Sequence, residues 1–171
     1  MSGSPILERL YDEHADAVFG FLLHLSGSEA DARDLLQDVF LKLVRKPGLL
    51  GSVHHIRAFL LRMAHHAFVD SIRRRQTRER SALALGEASC WFAHQHPPGM
   101  EQDWGPEVSR AMTQIPAEQR AVLHLKLWQE RTFAEIGQIL GISTHTAASR
   151  YRYALNKMEA LLRPHYEQRH D

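Results

Sequence analysis

The sequence predicts an all-α protein: two small helical domains joined by a flexible linker, the C-terminal one containing a helix-turn-helix. Three observations carry this. Apolar residues recur three or four positions apart from Leu7 to Ile72, and again from Val108 to Leu162. No strand-like alternation of any length interrupts them. Between the two periodic stretches the pattern fails, from Gln76 to about Gly105, where "HQHPPGMEQDWGP" brings Pro97, Pro98, Gly99, Gly105 and Pro106 together.

The first helix carries an apolar stripe through Leu10, His14, Val18, Phe21, Leu22 and Leu25, and Ser26-Gly27-Ser28 stops it. Ser28 is placed to cap a second helix, with Asp31 three residues on, whose stripe runs from Ala32 to Leu43. Pro47-Gly48 ends it. A third helix starts after Ser52. It is apolar over a wide arc, including Phe59, Leu60, Met63, Ala64 and Phe68, which predicts a central position in a bundle, and it runs out into Arg73-Arg74-Arg75. The linker also contains Leu83, Leu85, Trp91, Phe92 and Trp104, so parts of it are sticky enough to dock. Helical signals resume at Glu107. Pro116 stands where a first-turn proline belongs, followed by Val122, Leu125 and Trp128. Thr132-Phe133-Ala134-Glu135 reads as a capping box, Gly141 as a left-handed C-terminus, and Ser143 as the cap of a last helix. The stripe of that last helix includes Ala147, Tyr151, Ala154, Leu155 and Met158.

Charge separates along the chain although the net charge is only +1. Residues 1–40 hold eight acids against two bases, and residues 57–80 hold seven arginines against Asp70 and Glu79. Segregated charge points to different partners for different faces, or to solvated helix surfaces of opposite sign. No apolar run approaches the ~20 residues of a membrane span. The N-terminal residues lack a basic patch followed by an apolar stretch, so no secretory signal is read there. The single cysteine, Cys90, excludes an intramolecular disulfide. A cytoplasmic protein without membrane insertion is the expectation.

"GISTHTAASRYRYALNKM", residues 141–158, is the most informative stretch. Two helices joined by a tight glycine turn make a helix-turn-helix candidate, with Gly137, Gly141 and Ala147 small where the helices approach. Thr144, His145, Thr146 and Ser149 are short hydrogen-bonding side chains that let a helix enter a major groove. Arg150 and Arg152 reach phosphates or guanine edges one turn further on. The alternative is an ordinary helical hairpin with a polar outer face. Arginine with neither an acid nor a lysine near it on that face favours DNA.

"TFAEIGQILGISTHTAASRYRYALNKM", with "IPAEQRAVLHLKLWQERT" before it, resembles region 4 of the bacterial RNA polymerase sigma-70 family, of the extracytoplasmic-function (ECF) type. "DARDLLQDVFLKLVR" resembles the core-polymerase-binding segment of region 2, and "IRAFLLRMAHHAFVDSIRRR" the segment that melts and reads the minus-ten element. The resemblance implies region 2 in residues 1–76, a linker in 77–106 and region 4 in 107–171. It implies polymerase core, double-stranded promoter DNA, melted non-template strand and an anti-sigma factor as partners. It assigns core binding to Asp34, Gln37, Asp38 and Leu41, and minus-ten binding to Arg62, His65, His66, Asp70, Arg73 and Arg74. Minus-thirty-five binding falls to Thr144, His145, Thr146, Ser149, Arg150 and Arg152. Two departures mark this chain. Ala148 stands where a lysine is common in the family, and Ala64-His65-His66 replaces the usual Ala-Arg-Asn. Asp70 either acts directly or orients an arginine.

Two other functions compete with this reading. One is a helix-turn-helix regulator that is not a polymerase subunit. Such a chain has no need of Asp34-Leu35-Leu36-Gln37-Asp38 followed by Val39-Phe40. The other is a metal protein, prompted by twelve histidines. Cys90, His94 and His96 could supply three ligands to zinc or copper but no clear fourth, so no metal site and no cofactor are assigned. No set of nucleophile, base and orienting group, and no phosphate-cradling glycine loop, is visible, so no enzyme activity is expected.

Overall fold

The computed structural model describes residues 5–84 and 101–167. All regular structure among them is helical: α1 (Pro5–Ser26), α2 (Glu29–Arg45), a 3₁₀ turn (Pro47–Leu50), α3 (Ile56–Ala84), α4 (Glu101–Thr113), α5 (Ala117–Leu127), α6 (Phe133–Leu140) and α7 (Thr144–Glu167).

Local chemistry sets the boundaries. The Gly27 N–H donates back to the Leu23 carbonyl at 2.9 Å with φ of 66°, a left-handed turn that ends α1. Ser28 then caps α2, its hydroxyl accepting from the Asp31 N–H at 3.2 Å. Thr132 and Glu135 form both halves of a capping box at the start of α6. Gly141, at φ of 69°, ends α6, and the Ser143 hydroxyl accepts from the Thr146 N–H at 3.0 Å to start α7. Gly137 is a packing requirement: a Cβ there would stand 2.7 Å from the Ile142 carbonyl oxygen.

Several element limits differ from the sequence expectation. α3 continues beyond Arg75 to Ala84. Arginine is a good helix former, so propensity extends the helix through a polar stretch that buries no apolar face, and the Thr77 and Ser81 hydroxyls turn back onto the carbonyls four residues earlier. α4 begins at Glu101 and takes Pro106 inside the helix. Pro116 is the residue before α5 rather than its first turn. Leu155, placed on the apolar stripe by spacing, is 39% exposed, while Ala154 beside it is fully buried. Cys90, His94 and His96, with Leu85, Trp91, Phe92, Pro97 and Pro98, lie outside the described residues.

The two halves share one core. α1 packs on α2 and α3, and α7 on α4, α5 and α6, but α1 also packs on α5, and α3 on α6. One continuous apolar cluster therefore joins Phe21, Leu22, Leu60 and Leu61 of the first half to Val122, Leu125, Ile136 and Ile139 of the second. A smaller cluster of Met112, Ile115, Leu123 and Ala154 lies within the second half. α5 is buried continuously from Arg120 to Leu125 because it has neighbours on both sides.

Candidate nucleic-acid and protein interfaces

α2 divides cleanly into two faces. Leu35, Leu36, Val39 and Phe40 are buried, whereas Asp34, Gln37, Asp38 and Leu41 are exposed on the other side. Leu41 (40% exposed) and Val44 (57%) put apolar surface beside the two carboxylates. An exposed face of mixed apolar and acidic character suits a basic protein partner. Arg33 is paired with Glu29 within the helix, and Asp31 with Arg75 of α3 at 3.3 Å.

On α3, Arg62, His66, Asp70, Arg73 and Arg74 are exposed. Asp70 lies 3.9 Å from Arg73, a loose pair with both side chains exposed. His65 points elsewhere. Its Nδ1 is buried without a hydrogen-bond partner, and its ring lies toward Arg150 and Glu118 of the second half. Burial, then His66, then Arg150 push its pKa down to about 4, against a smaller upward pull from Glu118. Adjacent residues on a helix point apart, and the packing decides which of the two is covered: His65 is half-buried and His66 exposed.

In the helix-turn-helix, Thr144, His145 and Arg152 are exposed, and Thr146, Ser149 and Arg150 are half-buried. The Ser143 and Thr146 hydroxyls bond one another at 2.8 Å, so Thr146 is engaged in the cap. Tyr151 packs on Phe133 of α6, with ring centroids 5.5 Å apart, and is part of the core. Arg150 is not free of acids, as its sequence neighbours suggest: Nη2 lies 2.6 Å from the Glu118 carboxylate of α5. The fold delivers that acid from another helix. The pair holds the half-buried guanidinium of α7 against α5.

A family model for Sigma-70 region 2 matches residues 10–78, and one for Sigma-70 region 4 matches residues 111–160. They lie in order on one chain, and together they cover well over half of it. The chain belongs to the sigma-70 family. Several of its relatives are named as ECF RNA polymerase sigma factors. It is 28% identical over 161 residues to the ECF RNA polymerase sigma factor SigL of Mycobacterium tuberculosis, covering 93% of this chain and 90% of that one. It is 29% identical over 155 residues to the RNA polymerase sigma factor CarQ of Myxococcus xanthus, covering 91% and 88%. The fold matches the sigma factor RpoE of Bartonella quintana, solved in complex with the anti-sigma factor NepR, with a TM-score of 0.77 at 21% identity over 94% of this chain and 98% of that one.

In this sigma factor the halves also meet through polar groups that the sequence did not single out. Arg57 Nε of α3 donates to Gln129 Oε1 at 2.9 Å. That contact fixes the amide, so Gln129 Nε2 donates to His124 Nε2 at 3.2 Å. His124 Nδ1 then carries the proton and donates to His24 Nδ1 of α1. The chain of bonds leaves the first half at Arg57, passes through the second, and returns to the first at His24. Trp128 stacks on His124 at 5.4 Å and lies 4.7 Å from His24. Beside them the buried Arg120 Nη2 donates to the Leu25 carbonyl at 3.0 Å, where the last turn of α1 has unpaired carbonyls and a negative dipole end. Arg120 Nε and Nη1 have no partner, and burial lowers its pKa. The available sequence signal is weak: His124 is an ionisable residue inside the run Ala121-Val122-Leu123-His124-Leu125.

Proposed function

We infer that this chain is an ECF sigma factor: it binds RNA polymerase core, directs it to promoters and so initiates transcription, contributing no bond-making or bond-breaking step of its own. The observation that carries this is the ordered pair of region 2 and region 4 matches on one chain. The partners are polymerase core, duplex promoter DNA, the melted non-template strand and an anti-sigma factor. Among the described residues no helix is long and apolar enough to cross a membrane, which agrees with action on cytoplasmic polymerase.

The residue assignments follow from this function. Residues 1–76 act as the core-binding and minus-ten unit, 77–106 as the connection, and 107–171 as the minus-thirty-five unit. Asp34, Gln37, Asp38 and Leu41 meet basic and apolar residues of the polymerase; their shared exposure supports it. Arg62, Arg73 and Arg74 hold phosphates, which position the chain without reading sequence. His66 takes up the melted strand, where unstacked bases are captured against side chains, His65 joins it only where the two halves part, and Asp70 orients Arg73. Thr144, His145, Thr146 and Ser149 approach base edges in the major groove, flanked by Arg150 and Arg152.

In vitro transcription with purified core on genomic fragments, with start sites mapped, tests the function. Defined start sites that require the chain are expected. Duplex DNA binding without any such start sites would favour the helix-turn-helix regulator instead.

A further inference from the structure

The surface between the halves is built around histidines held neutral. His24 of α1 and His124 of α5 meet ring to ring, with centroids 4.6 Å apart, and Phe21, Trp128 and the edge of Gly20 enclose them. The bonds run one way, from Arg57 through Gln129 and His124 to His24. On these bonded edges a second proton would meet donors rather than acceptors. A proton on His124 Nε2 would face the Gln129 amide hydrogens, and one on His24 Nδ1 would face the His124 N–H. The ionic groups acting on the pair are the other ring, Arg120 of α5 and Arg57 of α3, so the fixed charges are both positive. A third interfacial histidine, His65 of α3, faces His66 and Arg150, with Glu118 the acid on that side.

We propose that the contact between the halves is a proton-sensitive latch: it stays packed while His24 and His124 are neutral, and parts when acidification charges them.

Burial, and then Arg120, hold His24 near a pKa of about 4, against the Gly20 carbonyl; burial, then His24 and Arg57, hold His124 well below its ordinary 6.5. Both values are depressed in the packed state, so the parted state binds more protons. Closure is therefore fully favoured above the ordinary histidine pKa and weakens as pH falls from about 6.5 toward about 4. Between pH 7.5 and 5.5 a histidine held at about 4 in the packed form, as His24 is, lowers the ratio of packed to parted forms about tenfold, and His124 shifts it further in the same direction. Parting frees the side of α3 that holds His65 and the side of α7 that holds Arg150. The consequence for promoter binding rests on the sigma-factor reading, but the closure does not.

Small-angle X-ray scattering on the full chain, with far-UV circular dichroism at each pH, tests it without DNA or polymerase. The radius of gyration should rise between pH 7.5 and 5.5 with helicity unchanged. His24→Leu/His124→Leu, which cannot be charged, should stay compact at both pH values, and His24→Lys should be expanded at pH 7.5. A parent of constant size, a parent already expanded at pH 7.5, or an expansion that tracks loss of helicity would each overturn the latch. The same holds for an expansion that survives in the double variant. Should the variants lose helicity, imidazole NMR titration of the parent decides: two rings whose charging coincides with the expansion, at a midpoint below the ordinary 6.5, support it, and two rings that stay neutral through pH 5.5, or that titrate near 6.5 from the start, refute it. Promoter transcription that fails while the expansion occurs would count against the sigma-factor reading alone.

Discussion

Arg150 takes its character from Glu118, which the sequence places far away and the fold brings to 2.6 Å. Glu118 is 70% exposed at its side chain, so the pair itself is worth only about 0.2–1 kcal/mol of stability. Its effect falls on DNA binding, because the carboxylate competes with phosphate for the guanidinium. Glu118→Gln should therefore strengthen duplex binding at low salt and leave the melting temperature nearly unchanged. Arg150→Ala should weaken binding and reduce the salt slope by about 1 if the contact is to phosphate. Fluorescence anisotropy over a salt series checks both, and two variants that bind alike would remove Arg150 from the interface. Gly137 behaves differently. The 2.7 Å approach of the Ile142 carbonyl leaves no room for a methyl group, so Gly137→Ala should cost about 1–3 kcal/mol by overpacking. Calorimetry should show a lowered melting temperature, with the order of promoter preference kept.

At the scale of elements, what the sequence discloses depends on how far apart the interacting residues lie. The caps at Ser28, Thr132 and Ser143 act on N–H groups three residues on, so a local pattern contains the whole interaction. The two faces of α2 follow from period alone. The end of α3 does not, because its last turns bury little and are carried by the helix propensity of residues such as arginine, which an apolar stripe cannot report. Thr132→Ala removes one side of the capping box and should cost about 1 kcal/mol. The loss should appear first as faster amide exchange in α6. For α2, Asp34→Lys combined with Asp38→Lys reverses charge on an exposed face without touching Leu35 or Val39. Affinity for polymerase core should fall while the circular dichroism spectrum stays that of the parent. Unchanged affinity would move the core-binding surface off this helix.

For the whole molecule, the two helical units were legible in the sequence, but their joint packing was not. Each periodic stretch accounts for its own half, whereas contacts such as Arg57–Gln129 and Arg120–Leu25 couple residues that no local pattern relates. The shared core has a mechanical consequence. Val122, Leu125, Ile136 and Ile139 are all buried in a cluster continuous with Phe21 and Leu60, so parting the halves exposes apolar surface from both. At roughly 25 cal/mol per Å² that surface opposes parting, and the charged histidines must overcome it. Chain connection adds an effective concentration on top of this. A specific protease site inserted between residues 85 and 100 removes the connection after folding and leaves the packed surface intact. The cut chain should elute from a sizing column as one species at pH 7.5, because the interface holds without the tether. At pH 5.5, dilution should split it into two, because the charged histidines then act against an interface that has lost its tether. Separation already at pH 7.5 would mean that the tether, rather than the shared core, keeps the halves together.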